Sequence, residues 1–297
     1  VTAAKYSRRT FIQQAGLAAA AMLGVGGLSD QKVPVSAHLW VYASKFPPDW
    51  DCTPVLETVF SDLKYGGYNG VEMMESNLRH KDAVLNIGGL SKHYGLPVTG
   101  SSYNNELWNA GRKNEIMEDV SMIVERLAGL RASTFGISVG DVGRRKTEAE
   151  LDAQAKILEE MVKICNTRHI VANLHNHTYE VRDGLYDLKG TLTRIPGIKL
   201  VPDLNWFVRA GVDPVSFINT YGRQMVYMHI RDQYASGKWT EYVGQGVTDF
   251  KGIANALKRV QFAGRAAVEL AFDTAPVYPL KEDWKRSRQY VEKVFGW

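Results

Sequence analysis

Two cysteines in 297 residues, Cys52 and Cys165, lie far apart and outside any C-x-x-C spacing, which excludes a disulfide framework and a thiolate metal site. No run is long and apolar enough to span a membrane comfortably; the longest candidate, Ala15–Leu28, is short and rich in Gly and Ala. The turn after the first predicted strand reads YASKFPPDW, so the glycine fingerprint of a dinucleotide-binding fold is absent. Charge of one sign is also scarce. The formal net charge is +4, and Lys5, Arg8, Arg9 and Asp30 account for +2 of it, leaving +2 for residues 31–297, too little for a nucleic-acid partner. Histidine is sparse, at seven. What is present in quantity is hydrophobic sequence, 45% of the chain, enough to bury a full core.

The first thirty residues differ in composition from the rest. Ser7-Arg8-Arg9-Thr10-Phe11-Ile12 ahead of an Ala-rich run resembles a twin-arginine export signal, with Gln13 where that pattern has Lys. The resemblance implies a periplasmic protein whose only membrane contact is that signal, residues 1–30, followed by one domain over residues 31–297. Val35-Ser36-Ala37 fits the small-x-small rule for cleavage but would cut into the first strand, so the cleavage site stays open.

After Pro34, short apolar runs alternate with helical patterns, the mark of a parallel sheet built from βα units. The spacing predicts strands at residues 37–43, 70–74, 97–102, 134–139, 170–175, 198–203, 225–230 and 266–271. Helices are predicted at 54–64, 113–130, 148–165, 213–221 and 249–260, with caps at Thr147 (boxed with Glu150), Asp213 and Thr248. Eight such units in roughly 260 residues match a single (β/α)8 barrel.

In a barrel, chemistry belongs at the C-terminal strand ends. Polar residues there are Glu72, His175 and His177, Asp203, His229 with Arg231, and Glu269. Two imidazoles with two carboxylates suit one divalent Mn, Co, Zn or Fe ion, since nitrogen ligands disfavour a pure Mg or Ca site. Trp40, Tyr103, Trp108 and Trp206 fall near strand ends, where a sugar ring could stack on them, though packing explains each equally well. His38 in the first strand is as readily a packed imidazole as a substrate contact, and His80, His93 and His169 fall in surface contexts.

The segments YNGVEMM, HNHTYE, VPDLNWFVRAGVDPVSFI, VYMHIRD, VGQGVTDFKGI and AAVEL resemble the sugar phosphate isomerase/epimerase family of xylose-isomerase-like TIM barrels, over nearly all of residues 36–297. The resemblance implies metal ligands at Asp203, His229, Glu269 and, in place of a glutamate found in many relatives, His175, an HNHxxE variant. It implies a divalent-metal-dependent enzyme that abstracts a proton α to a carbonyl of a small sugar or keto-sugar by way of a metal-bound enediolate. In the family's ketose epimerases two metal-bound glutamates exchange that proton, so His175 turns the expectation toward a dehydratase or lyase acting on inosose-like or 3-keto-glycoside substrates. On that view Glu269 is the base, His177 or Glu180 the acid, and Glu72, Arg231, Trp206 and His38 contact substrate. A non-catalytic sugar-binding protein is the alternative of another class, and a homo-oligomer is possible since relatives often form one. A DNA-repair role, known in the superfamily, would need more histidines and a basic groove.

Overall fold

The computed structural model describes residues 32–297; the Ser7–Ile12 run lies outside them. Eight parallel strands, β1 (Val35–His38), β2 (Gly70–Met74), β3 (Val98–Asn104), β4 (Thr134–Ser138), β5 (Val171–His175), β6 (Lys199–Val201), β7 (Tyr227–Ile230) and β8 (Arg265–Glu269), are hydrogen-bonded in the order β6-β5-β4-β3-β2-β1-β8-β7. The two edges meet through isolated pairings, Leu200↔Met225 and Asp203↔His229, with His229 N–H donating to Pro202 O at 2.9 Å. A (β/α)8 barrel results, closed by a thin seam between β6 and β7.

The intervening helices are α1 (Trp40–Ala43), α2 (Leu56–Gly66), α3 (Glu75–Leu78), α4 (Ala83–Tyr94), α5 (Lys113–Gly129), α6 (Glu148–Thr167), α7 (Thr178–Arg194), α8 (Leu204–Arg209), α9 (Pro214–Tyr221), α10 (Phe250–Arg259) and α11 (Leu280–Phe295). Thr147 and Glu150 form the expected capping box of α6, Thr147 N–H donating to Glu150 Oε2 at 2.7 Å. Asp213 caps α9 as expected, whereas α10 is capped by Asp249 and not Thr248: Asp249 Oδ1 accepts Gly252 N–H at 2.9 Å. Among the described residues no helix is long and apolar enough to cross a membrane.

Strand periodicity sorts side chains into two faces. Ala37, Val71, Met73, Phe135, Ile137, Leu174, Met228, Ile230 and Val268 face the helices and join the main apolar core. The opposite face holds smaller and more polar residues; Val201, Tyr227 and Ala267 form a separate buried cluster in the barrel interior. Gly136 belongs to that interior too, since a Cβ there would meet Asn173 Oδ1, Val201 and Glu72 Oε1. Burial of the outer face supplies most of the hydrophobic stabilisation, at about 25 cal/mol per Å² of apolar area, and frees the inner face for polar groups at the strand ends.

One element departs from the sequence pattern. Residues 37–43 look like one strand, but the strand ends at His38 and Trp40–Ala43 form a helical turn. A short apolar run does not distinguish the two conformations. Here Tyr42 decides the outcome: its hydroxyl donates to Asp62 at 2.9 Å and accepts from Trp284 Nε1 at 3.0 Å, which draws the segment toward α2 and α11. Val35–Ala37, the cleavage-like triplet, is fully buried and paired on both sides within β1.

Candidate active site and metal centre

The inward register of β1, β2, β5, β7 and β8 brings His38, Glu72, His175, His229 and Glu269 to one end of the barrel, and Asp203 joins them just after β6. His175, Asp203, His229 and Glu269 are buried, and one potential ligand atom from each lies within 4.8 Å of all the others. Four donors about 2.1 Å from a shared ion sit about 3.4 Å apart in a tetrahedral arrangement, so a contraction of at most about 1.4 Å would bring this set onto one ion.

Each of these groups is oriented by a neighbour. His175 Nδ1 lies 3.1 Å from Ser138 Oγ, leaving Nε2 free. Burial lowers its pKa well below the ordinary histidine value, which keeps the ring neutral, as a ligand must be. Asn176, the middle residue of the HNH triplet, accepts Asp203 N–H at 3.1 Å and donates back to Asp203 O at 3.2 Å, so the β5 and β6 ends are pinned together. Asp203 Oδ1 accepts Asn205 N–H at the start of α8. Its Oδ2 has no hydrogen-bond partner and only a 3.6 Å ion pair with Arg231, and burial pushes its pKa up to about 6. An unpartnered carboxylate oxygen with 0% exposure is costly unless a cation meets it.

His229 is held at both nitrogens, Nε2 by Glu72 Oε2 and Nδ1 by Glu269 Oε2, each at 2.9 Å. Burial alone would lower its pKa; the two carboxylates reverse that and raise it well above the ordinary value, so His229 would have to release a proton to act as a ligand. Glu269 also faces burial that would raise its pKa, but Arg231, His38 and His229 hold the carboxyl well below its usual range. Arg231 Nη1 sits 3.0 Å from Glu269 Oε1. Three buried carboxylates, Glu72, Asp203 and Glu269, thus share one arginine and the proton of His229, leaving an excess of negative charge. The donor set, the charge and the orphaned Asp203 oxygen all fit a divalent cation.

Two of the carboxylates expected at substrate or as acid, Glu72 and Glu180, do not line the cavity. Glu72 does not face the cavity; it lies 2% exposed beneath His229 and fixes that ring's Nε2–H. Removing such an outer partner weakens metal binding. Glu72→Gln is expected to lower metal affinity about 10- to 100-fold, measured by competition with a chelating dye, and an unchanged affinity would exclude this role. Glu180 is also turned away. Its carboxylate accepts His177 N–H at 2.7 Å and Val139 N–H at 3.2 Å, capping α7 from position N3, and burial pushes its pKa up to about 8. A cap with both oxygens engaged by backbone cannot reach substrate.

The cavity above the carboxylates has a volume of about 430 Å³. His175, His177, Trp206, Arg231 and Glu269 line one side, from β5 to β8, together with Trp239. The indole of Trp239 lies between two guanidinium groups, Arg231 Cζ at 4.0 Å and Arg209 Cζ at 3.4 Å from its centroid, and packs edge-on to Trp206. The other side, from β1 to β3, carries His38, Trp40, Trp50, Glu75 and Tyr103. His38 Nδ1 accepts Trp40 N–H, so its Nε2–H donates to Ser102 Oγ at 2.9 Å. Trp108 does not reach the cavity. Trp50, Glu75 and Trp239 come from loops or a short helix beyond the strands, where no periodicity marks them. His80, His93 and His169 lie outside the cavity; His80 pairs with Asp51 at 2.6 Å.

The glycine loop 243–247 has a structural explanation. Asp232 Oδ2 accepts Gly244 N–H at 2.9 Å and Gly246 N–H at 2.8 Å, and a Cβ on Gly246 would fall 2.1 Å from Gln233 O. It anchors the chain after β7 instead of cradling a phosphate.

No curated protein matches the sequence. Among solved structures, a sugar phosphate isomerase/epimerase from Parabacteroides distasonis is 16% identical with a TM-score of 0.71, over 90% of this chain and 97% of that one. The 3-keto-D-glucoside 4-epimerase of E. coli is 14% identical with a TM-score of 0.70, over 88% and 100%. The D-allulose 3-epimerase of Methylomonas sp. is 14% identical with a TM-score of 0.73, over 88% and 98%. These likenesses establish a shared fold. The family model described as xylose isomerase-like TIM barrel matches residues 60–294, and the chain belongs to that family.

Proposed function

We propose that the protein is a divalent-metal-dependent sugar isomerase/epimerase-type enzyme that removes a proton from the carbon α to a carbonyl of a small sugar or keto-sugar. The observation that carries this reading is the convergence of His175, Asp203, His229 and Glu269, of which His175 and Glu269 line the cavity, with Asp203 Oδ2 lacking a hydrogen-bond partner. The resemblance to solved sugar epimerases supports it. A bound divalent ion would polarise the carbonyl and offset the negative charge that develops on its oxygen.

Glu269 is the base in this reading. It lines the cavity, and its Oε1 is shared with Arg231, so a substrate oxygen that recruits the guanidinium releases that carboxylate oxygen toward carbon. Arg231 then stands beside the developing oxyanion, where a fixed cation lowers the barrier. His177, with its ring 5.0 Å from that of His175 and 5.4 Å from Trp206, bounds the substrate position. Burial lowers its pKa to about 4, so it serves as a neutral hydrogen-bonding group.

His175 favours a particular course after enolisation. No carboxylate stands on β5 to mirror Glu269, so return of the proton from the opposite face lacks its usual donor, whereas loss of a β-oxygen substituent needs only one base. A keto-sugar with a leaving group at the β-carbon is therefore the favoured substrate, which supports a lyase over an epimerase course. The resemblance of Ser7–Ile12 to an export signal favours an unphosphorylated one; faster exchange on ketose phosphates would overturn that point.

The test is solvent-deuterium incorporation. Manganese-loaded protein is expected to exchange the α-hydrogen of 3-keto-glucosides, followed by mass spectrometry or NMR. Tight binding with no deuterium incorporated would instead identify a sugar-binding protein.

A further inference from the structure

Loss of a β-oxygen leaves that oxygen in need of a proton; of the two acids that sequence position offers, Glu180 is engaged with two backbone N–H groups and His177 meets the Tyr179 hydroxyl through Nδ1 at 3.1 Å, while Glu72, expected at substrate, is engaged with His229. Among the described residues two carboxylates line the cavity, Glu269 and Glu75. Glu75 opens α3 directly after β2, one step beyond the strand end, and lines the cavity together with Trp40, Trp50 and Tyr103. Arg79, the cation one turn along, is engaged bidentately by Asp119, at 3.1 and 2.8 Å, and forms no ion pair with Glu75. Burial raises the Glu75 pKa above the ordinary glutamate value, against its own and Asn104 backbone N–H groups and Arg79, with Asp119 reinforcing the rise. A cavity-facing carboxyl without a counter-ion is thereby biased to carry a proton.

We propose that Glu75 is the general acid that protonates the departing oxygen, and that the Trp40/Trp50 side of the cavity receives the departing group. The substrate is then a keto-sugar glycoside and not a free monosaccharide, consistent with a cavity of about 430 Å³ that has room beyond one pyranose ring. This rests on the enolisation reading of Glu269. In the step, Glu269 takes the α-proton, the C–H pair becomes the new C=C bond, and the C–O bond at the β-carbon breaks with its pair on oxygen. Glu75 gives its proton to that oxygen. The products are an unsaturated keto-sugar and an alcohol; Glu269 returns its proton to water, Glu75 takes one up, and no redox partner is needed.

Leaving-group dependence tests the assignment, because methoxide must be protonated to depart and 4-nitrophenolate need not be. Manganese-loaded wild-type and Glu75→Gln proteins are compared on methyl and 4-nitrophenyl 3-keto-β-glucosides in D2O. The variant is expected to lose about 10²- to 10⁴-fold on the methyl glycoside, under about 10-fold on the nitrophenyl one, and to keep α-hydrogen exchange within a few-fold. Equal losses on the two substrates at an unchanged melting temperature overturn the proposal, as does no loss on the methyl glycoside. Should the glutamine variant not fold, Glu75→Asp is expected to slow the methyl substrate more than the nitrophenyl one, and equal slowing has the same negative meaning. Trp50→Ala is expected to raise KM for the nitrophenyl glycoside several-fold more than KM for free 3-keto-glucose, and equal increases overturn the placement of the departing group. A wild-type protein that exchanges no deuterium defeats the enolisation reading and the proposal together; normal exchange with an unaffected Glu75→Gln variant defeats the Glu75 assignment alone.

Discussion

Glu269→Gln is expected to lower the rate of α-hydrogen exchange by about 10³-fold or more, the upper part of the range for removal of a positioned general base. The glutamine keeps the length and an oxygen donor, so it can still occupy the coordination position and still face Arg231, whose partner in the wild type is Glu269 Oε1 at 3.0 Å. What it lacks is the capacity to hold a proton taken from carbon. Metal content measured on the same preparation separates the two possible causes of a loss. A rate loss at full metal occupancy assigns the base, a loss that tracks missing metal assigns Glu269 to coordination alone, and undiminished exchange removes it from the mechanism.

Stripping the metal is expected to have an effect of similar size, with a second readout in stability. A ligand that binds only the folded protein stabilises it by about 2.7 kcal/mol at a hundredfold excess over Kd. For a domain of this size that corresponds to a melting-temperature rise of about 5–10 °C. Chelator-treated protein should therefore lose turnover and melt lower, and Mn, Co, Zn or Fe should restore both. Asp203→Ala should melt at a temperature insensitive to added metal, because it removes from the four-residue cluster a buried carboxylate oxygen that has no hydrogen-bond partner. A melting temperature unmoved by each of these ions in the wild-type protein would contradict the metal centre.

The barrel was legible because buried parallel strands announce themselves as apolar runs between helical patterns; GVEMM, for instance, is the strand β2 without a residue to spare. The convergence of the four candidate ligands was legible for a related reason: His175 and Glu269 each end a strand, His229 stands one residue before the end of β7, and Asp203 follows β6 closely. Two things were hidden. Whether a strand-end carboxylate faces substrate or supports a neighbour depends on depth as well as face, and Glu72 lies one layer lower than its position suggests. Glu180 was hidden by its helix start, since a histidine at the N-cap, with Glu180 three residues on, does not carry the usual Ser, Thr, Asp or Asn signal. Residues supplied by loops, Trp50 and Trp239 above all, have no period to betray them.

The thin seam between β6 and β7 gives the cation a mechanical meaning. One of its two isolated pairings joins Asp203 to His229, so two of the four ligands sit on opposite lips of the place where the barrel has the least backbone hydrogen bonding. Seven of the eight strand junctions are held by strand ladders; this one would be fastened by a rivet. The same ion that activates substrate would then govern how readily the cylinder unzips, and amide hydrogens around Leu200–His229 would report metal loading by their exchange lifetimes long before any global unfolding.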